Sequence, residues 1–155
     1  MDAPVRDGNR AKVGALSHSI GFLLRLAQLR AFDEFFSEQG PRGLKPGEFS
    51  VLWVIRHNPA IRQSVLGQRL MIKRAHMTKL IRALEELGYV SREVPDSDRR
   101  AVELTLTDKG MIEVETASVA FFDFESRTGA PLDKCEQAQL LALLQKYVGL
   151  DPEEN

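Results

Sequence analysis

Within residues 73–87 the side chains that can carry charge or make hydrogen bonds fall on one side of a helix. At about 100° per residue, Met77, Leu80, Ile81, Leu84 and Leu87 form one contiguous apolar stripe. Ala75, Thr78, Lys79 and Arg82 lie opposite it, Arg74 and His76 flank them, and the acids Glu85 and Glu86 sit in the C-terminal turns. A cationic, hydrogen-bonding face on one helix suits a polyanion with readable edges, and the major groove of duplex DNA, about 12 Å wide, admits one helix. A second cluster, Asp98-Arg99-Arg100, puts two guanidinium groups on what reads as a hairpin tip. There they can follow a phosphate backbone or enter a narrow minor groove, whose negative potential attracts arginine. Asp98 would repel phosphate, so its expected task is to pair with a nearby arginine and fix the tip. The competing reading of the triplet is an ordinary charged turn; its place after a helix of the right polarity favours the first.

Other chemistries find no support in the residue pattern. No Ser/His/Asp or Cys/His set has a local signature, no glycine-rich phosphate loop occurs, and His18, His57 and His76 lack metal-ligand spacing, so the chain does not read as an enzyme. A single cysteine, Cys135, excludes an internal disulfide framework and any CxxC pair, and neither a cofactor nor a metal is expected. The unbroken apolar runs stop at three or four residues where a membrane span needs about 20, and residues 1–9 are too polar for a secretory signal. The expectation is a cytoplasmic protein that does not engage a membrane.

Charge totals conceal the basic face. The 155 residues hold 21 Lys+Arg against 22 Asp+Glu. Residues 61–100 carry nine basic against five acidic side chains, a net of +4, whereas residues 101–155 carry four against eleven, a net of −7. A local positive patch concentrates polyanions near it whatever the overall charge.

The elements that must position these residues follow from periodicity. Residues 12–39, with Leu16, Ile20, Leu23, Leu24, Ala27, Phe32, Phe35 and Phe36 at helical spacing, predict one long helix ending at Gly40 and Pro41. A turn over residues 44–48 opens a second helix, which the Asn58-Pro59 pair stops; residues 60–62 read as a connector to a brief helix carrying Val65, Leu66 and Leu70. Met71-Ile72 turns the chain into the polar-faced helix, and Gly88 ends that helix. The period then changes to two, and residues 89–94 and 102–107 predict a β-hairpin with Pro95-Asp96-Ser97-Asp98 at its turn. Two further helices follow, one from Asp108 and one opening at Asp133 with the capping-box pattern Asp133-x-x-Glu136.

Three stretches carry a family resemblance. Residues 43–52 (GLKPGEFSVL), 77–90 (MTKLIRALEELGYV) and 98–110 (DRRAVELTLTDKG) resemble, in order and spacing, the MarR family of bacterial winged-helix regulators. The resemblance implies a mainly α fold with a small β-hairpin wing: a winged helix-turn-helix over residues 41–110, an N-terminal dimerisation helix over 10–40 and C-terminal dimerisation helices over 111–150, all in one intertwined domain. It implies a homodimer on a palindromic operator, usually released by a small-molecule or redox signal. Ala75, His76, Thr78, Lys79 and Arg82 fall on the positions that face DNA, and Arg99 on the wing arginine. Surplus apolar residues on the first and last helices independently favour a second buried surface.

In this family the ligand pocket usually lies between the dimerisation helices and the winged domain. His18, Phe22, Arg25, Phe49, Trp53, Phe121 and Phe122 are the residues that could give an aromatic or acidic ligand stacking surface and a cation, the alternative being that the aromatics are core and Arg25 a solvated charge. Residues 72–78 are similar to a subset that responds to aromatic acids or their coenzyme A thioesters, and Arg6, Arg10, Lys12, Arg25 and Arg30 are available for a thioester's phosphates. The expectation is therefore a ligand-responsive DNA-binding transcriptional regulator, acting as a repressor. The alternatives are a winged-helix protein-interaction module and a thiol-based redox sensor. The first would lack an operator. The second is disfavoured, because the family's sensing cysteine lies near the start of the first helix and this chain's Cys135 sits on the last one as a buried or idle thiol.

Overall fold

Ser19 decides where the first helix begins. Its backbone is extended (φ −90°, ψ 112°) and its hydroxyl accepts the Phe22 N–H at 3.3 Å, so α1 runs Ile20–Gln39 and Gly14–His18 form a separate 3-10 turn. The single helix expected over residues 12–39 is thus broken, because serine offers the backbone an N-cap that competes with continuing the helix. The computed structural model describes residues 11–40 and 43–151; Pro41, and Arg6 and Arg10 of the suggested phosphate site, lie outside the described residues.

The chain divides after Gly40 into two units. In the first, α1 ends as Gly40 takes φ 71° and donates to Phe36 O. Ile20, Leu23, Leu26, Leu29, Phe32 and Phe36 are all exposed along it.

The second unit contains the remaining elements: α2 (Pro46–His57), β1 (Ile61–Arg62), α3 (Gln63–Arg69), α4 (Arg74–Glu86), β2 (Val90–Glu93), β3 (Glu103–Leu106), α5 (Asp108–Arg127) and α6 (Lys134–Val148). Pro46 sits in the first turn of α2, where its missing N–H costs nothing, and the Glu48 carboxylate accepts the Lys45 N–H at 2.9 Å. Asn58 ends the helix, its side-chain amide donating to Val54 O. The turn between α3 and α4 is made by Met71 in the left-handed region (φ 54°), with the Ile72 N–H closing onto Gly67 O at 2.9 Å. Asp133 and Glu136 form the expected reciprocal cap of α6: the Asp133 carboxylate accepts from the Cys135 and Glu136 N–H groups, and Glu136 accepts from Asp133 N–H.

The sheet has one strand more than the expected hairpin. The order is β1-β3-β2, all antiparallel, with Ile61 opposite Leu104 and Arg62 opposite Glu103 on one side, and Val90 opposite Leu106 on the other. Within residues 60–62, expected as a connector, Ile61 and Arg62 thus form an edge strand, entered through Ala60 at φ 62°.

Phe49, Val51, Leu52 and Ile55 of α2, Leu66 of α3, Met77, Ile81 and Leu84 of α4, Val90, Leu104 and Val114 form one buried cluster. Burial of side chains of this size contributes roughly 1.5–3 kcal/mol each. The apolar stripe read on α4 is the face it buries, with one exception: Leu87, expected on the stripe, is 51% exposed. It caps the helix, whose last turn closes as Gly88 (φ 78°) donates to Glu85 O and Tyr89 to Leu84 O, and this carries Leu87 off the core.

Candidate nucleic-acid interface

With Met77, Ile81 and Leu84 buried, α4 turns Arg74, Ala75, His76, Lys79 and Arg82 outward, all exposed, and leaves Thr78 half-buried at the edge of that face. The turn before α4 fixes this facing: Met77 N–H bonds to Lys73 O, and Gly67 lies so close to Ile72 that a Cβ there would sit 3.2 Å from the Ile72 carbonyl oxygen. The cations are uncommitted. Among the described residues, Arg74, Lys79, Arg82, Arg99 and Arg100 make no salt bridge, whereas Arg56, Arg62, Arg92 and Arg127 each pair with a carboxylate. Unpaired guanidinium and ammonium groups on one surface repel one another in the free protein, and a phosphate backbone relieves that repulsion while releasing counterions.

The tip between β2 and β3 is held from both ends. Asp98 N–H donates to Pro95 O, Ala101 N–H donates to Asp98 O, and the Asp98 carboxylate accepts the Arg100 N–H at 3.1 Å. The same carboxylate meets Arg62 Nη1 at 3.4 Å, the arginine partner that the sequence predicts for it without naming. Arg99 and Arg100 are left exposed beyond this anchor.

Arg62 and Gln63, which sequence reasoning did not single out, join this surface. Arg62 reaches the wing tip. Gln63, the next residue, donates from Nε2 to Thr78 Oγ1 on α4 at 3.2 Å, and its own N–H bonds to Val102 O at 2.8 Å. Two consecutive side chains at the start of α3 therefore tie together the wing tip and the outward face of α4. A polar pair at a strand-to-helix junction was the available signal, but it does not name its partners.

The C-terminal end of α4 is locked to α5 in a similar way. Thr107 caps α5 by accepting the Gly110 N–H at 3.0 Å, and its hydroxyl donates to Gly88 O; Lys109 Nζ donates to Leu87 O at 2.7 Å and lies 5.2 Å from the centre of the Tyr89 ring. Burial, and then the neighbouring Glu113 carboxylate, push the Tyr89 phenol above its ordinary pKa, so it stays protonated.

The aromatic residues expected in a ligand pocket fall into two sets. Phe49, Trp53, Phe121 and Phe122 of the second unit form one cluster: Phe49 stacks on Phe121 at 4.2 Å between centroids and on Trp53 at 5.5 Å, and Phe122 meets Trp53 edge-on at 5.0 Å. Phe49 is buried in the core, Trp53 and Phe121 are half-buried, and Phe122 is 46% exposed. Arg56, one turn on from Trp53, lies 5.4 Å over its ring and pairs with Glu115 at 2.9 Å, so this cluster carries a cation that the ligand-site reading did not include. His57 is beside Trp53 as well, its Nδ1 2.9 Å from Trp53 O. His18, Phe22 and Arg25 belong to the first unit: His18 is exposed and bonded to Ser17, Phe22 is half-buried, and Arg25 is exposed. Cys135, expected as a buried or idle thiol, is exposed at the N-terminus of α6, where the helix cap holds its backbone.

Among the described residues, no group of histidine, cysteine and carboxylate side chains is placed to hold a metal ion, and no helix is long and apolar enough to cross a membrane.

Comparison with known proteins matches this architecture. Residues 44–102 fit the model of the MarR family. A Thauera aromatica protein assigned to regulation of the hcr operon is 30% identical over 141 residues, spanning 90% of this chain and 85% of its own. The transcriptional regulator PecS of Dickeya dadantii is 32% identical, spanning 81% of this chain and 76% of its own. Among solved structures, the repressor CouR bound to a 23-mer DNA duplex superposes with a TM-score of 0.77 at 34% identity, over 88% of this chain and 97% of CouR. CouR bound to p-coumaroyl-CoA gives 0.75 at 32% identity, over 88% and 96%. The relatives are transcriptional regulators, not enzymes. With the six helices, the three-stranded sheet and the outward-facing basic helix in place, the chain belongs to the MarR family and is a winged-helix, DNA-binding transcriptional regulator.

Proposed function

We propose that this regulator works in the cytoplasm as a homodimeric repressor that sits on a palindromic operator and leaves it when a small aromatic acid or its CoA thioester binds. Residues 41–110 read the DNA. Residues 10–40 and 111–150 make the dimer. The observation that carries the DNA half of the proposal is the set of exposed, uncommitted cations on α4 and at the wing tip. Arg74, Lys79, Arg99 and Arg100 supply charge to phosphates or to the minor groove, while Ala75, His76, Thr78 and Arg82 face base edges. Asp98 holds the wing in position. Two recognition helices related by a twofold axis would lie about 34–36 Å apart, one turn of the duplex.

The effector half rests on the aromatic cluster with its adjacent cation, and on the likeness to CouR, which has been seen both with DNA and with p-coumaroyl-CoA. Phe49, Trp53 and Phe122 provide stacking surface for an aromatic acid, and His18, Phe22 and Arg25 of the first unit are separate candidates for further stacking and charge. A thioester's phosphates require further basic side chains, for which Lys12 and Arg30 are candidates.

A mobility-shift titration with DNA from upstream of the protein's own gene tests both halves. A retarded complex at low salt that p-coumaroyl-CoA or a related aromatic acid dissolves, and free CoA does not, is the expected result. No retarded complex with any upstream fragment would sink the DNA reading. A complex indifferent to every aromatic acid and thioester would leave a regulator with another kind of signal.

A further inference from the structure

Thr78 differs from its neighbours on the outward face of α4. Arg74, Ala75, His76, Lys79 and Arg82 are exposed, whereas Thr78 is half-buried and its hydroxyl is already engaged twice. A threonine hydroxyl has one proton and two lone pairs. The proton goes to the Arg74 carbonyl one turn back, at 3.0 Å, and one lone pair accepts from Gln63 Nε2 at 3.2 Å. Because the single proton is spent on Arg74 O, Gln63 must present its N–H side. Gln63 is itself held in place, its N–H bonded to Val102 O, so its amide approaches Thr78 from a fixed backbone position. What remains for a ligand is one lone pair and the methyl group: Thr78 can accept a hydrogen bond and make an apolar contact, and it cannot donate.

We propose that Gln63 is a positioning residue for operator recognition, fixing Thr78 as an acceptor-plus-methyl reader that selects an A·T pair in each half-site. This rests on the reading in which α4 enters the major groove. There an A·T pair offers both things Thr78 can use, the adenine N6 amino donor and the thymine methyl, whereas a G·C pair offers the cytosine N4 donor without the methyl, and guanine N7 and O6 need the donor Thr78 lacks. Without Gln63 the Thr78 side chain is held only by its bond to Arg74 O, so it can leave that rotamer and turn its proton towards guanine.

The test is selection from a duplex library randomised across the operator, using the full-length protein and the variants Gln63→Met, Thr78→Val and the double variant, with melting curves confirming that each is folded. The wild-type protein is expected to enrich an A·T pair at one fixed position per half-site. Gln63→Met should cut that preference roughly threefold to tenfold, the range that one net hydrogen bond supports. It should leave other positions and the salt dependence alone, and have no further effect once Thr78 is valine. A Gln63→Met profile identical to the wild type overturns the proposal. So does an equal loss of affinity for all sequences, which would mark Gln63 as a backbone contact, and so does enrichment of G·C at the position that Thr78→Val alters. Failure of the wild-type protein to enrich any sequence would be different, since it removes the DNA reading itself.

Discussion

Arg99 and Arg100 stand beyond the Asp98 anchor with no carboxylate partner among the described residues, so their charge is available in full to whatever the wing meets. Each phosphate neutralised on duplex DNA contributes roughly 0.9 to the slope of log affinity against log salt. Arg99→Ala is accordingly expected to weaken binding to every sequence by a similar factor and to flatten that slope by about 0.9 per wing, measured by titrating affinity across salt concentrations. Full affinity with an unchanged slope would take the wing out of the mechanism. Asp98 works in the other direction. Its ion pair with Arg62 is solvent-exposed, and pairs of that kind contribute roughly 0–1 kcal/mol to stability. Asp98→Asn should leave the melting temperature nearly unchanged, since asparagine can still accept the Arg100 N–H. Its effect should fall on recognition: removal of a negative charge strengthens non-specific binding while the loosened tip weakens specific binding. The ratio of affinities for operator and random duplex is the quantity expected to fall, and an unaltered ratio would leave Asp98 with no role in positioning the wing.

At the level of elements, the junction between the end of α4 and the start of α5 is the least forgiving place in the fold. A Cβ added at Gly110 would lie 2.0 Å from the Tyr89 carbonyl oxygen, a backbone atom that also accepts the Thr107 N–H and cannot move without opening the sheet. Gly110→Ala should cost roughly 1–3 kcal/mol or more, as overpacking against fixed atoms does. The drop should appear as a lower melting temperature; full stability would mean that the two backbones separate more easily than their hydrogen bonds suggest. The helix ends at this junction, Gly88 closing α4 and Asp108 opening α5, are local signals, and for that reason they are legible in the sequence. The same holds for the amphipathic stripe of α4 and the Asp133/Glu136 cap, each defined within a few residues. Strand β1 is not legible in this way: two residues, Ile61 and Arg62, carry no period, and only pairing with distant Glu103 and Leu104 makes them a strand. At Ser19 the apolar spacing runs on unbroken, so periodicity predicts helix where the serine caps one. Arg62 and Gln63 escaped for the reason that hid β1, since their partners Asp98 and Thr78 are set by tertiary structure. The outward residues of α4 could be named because burial of their opposite face follows from sequence alone, whereas a pocket needs side chains from several elements and periodicity cannot assemble it.

For the whole molecule, near-neutral charge and abundant exposed apolar surface have to be reconciled with a protein that binds one DNA site. The basic face is local, carried by a segment of net +4 within a chain of net −1, which favours selective binding over coating of the polyanion. The apolar surplus is equally local. No residue of α6 is buried, although Leu140, Leu141, Leu143, Tyr147 and Val148 all lie on it, and α1 exposes a comparable set. A helix apolar on so many sides ordinarily has its partner elsewhere, and soluble monomers seldom leave contiguous patches of that kind uncovered. A second copy of the chain is the occupant the proposed function requires, because a palindrome presents two identical half-sites. Leu143, 65% exposed in the single chain, is a direct probe. Leu143→Glu should leave the fold intact, as judged by circular dichroism, since the side chain contributes little to the core of one chain. Within a dimer interface the same change would bury an unpaired carboxylate, a penalty of several kcal/mol that is severe enough to separate the subunits. About 3 kcal/mol corresponds to a dissociation constant raised roughly a hundredfold. Sedimentation equilibrium should therefore give a dimer for the wild-type protein and a monomer for the variant at micromolar concentration. Operator affinity should fall with dimer content, and the salt slope should be roughly halved as one recognition helix and one wing engage in place of two. A variant that remains dimeric, with operator affinity and slope intact, would show that α6 faces solvent in the working regulator and that the twofold interface is built from other residues.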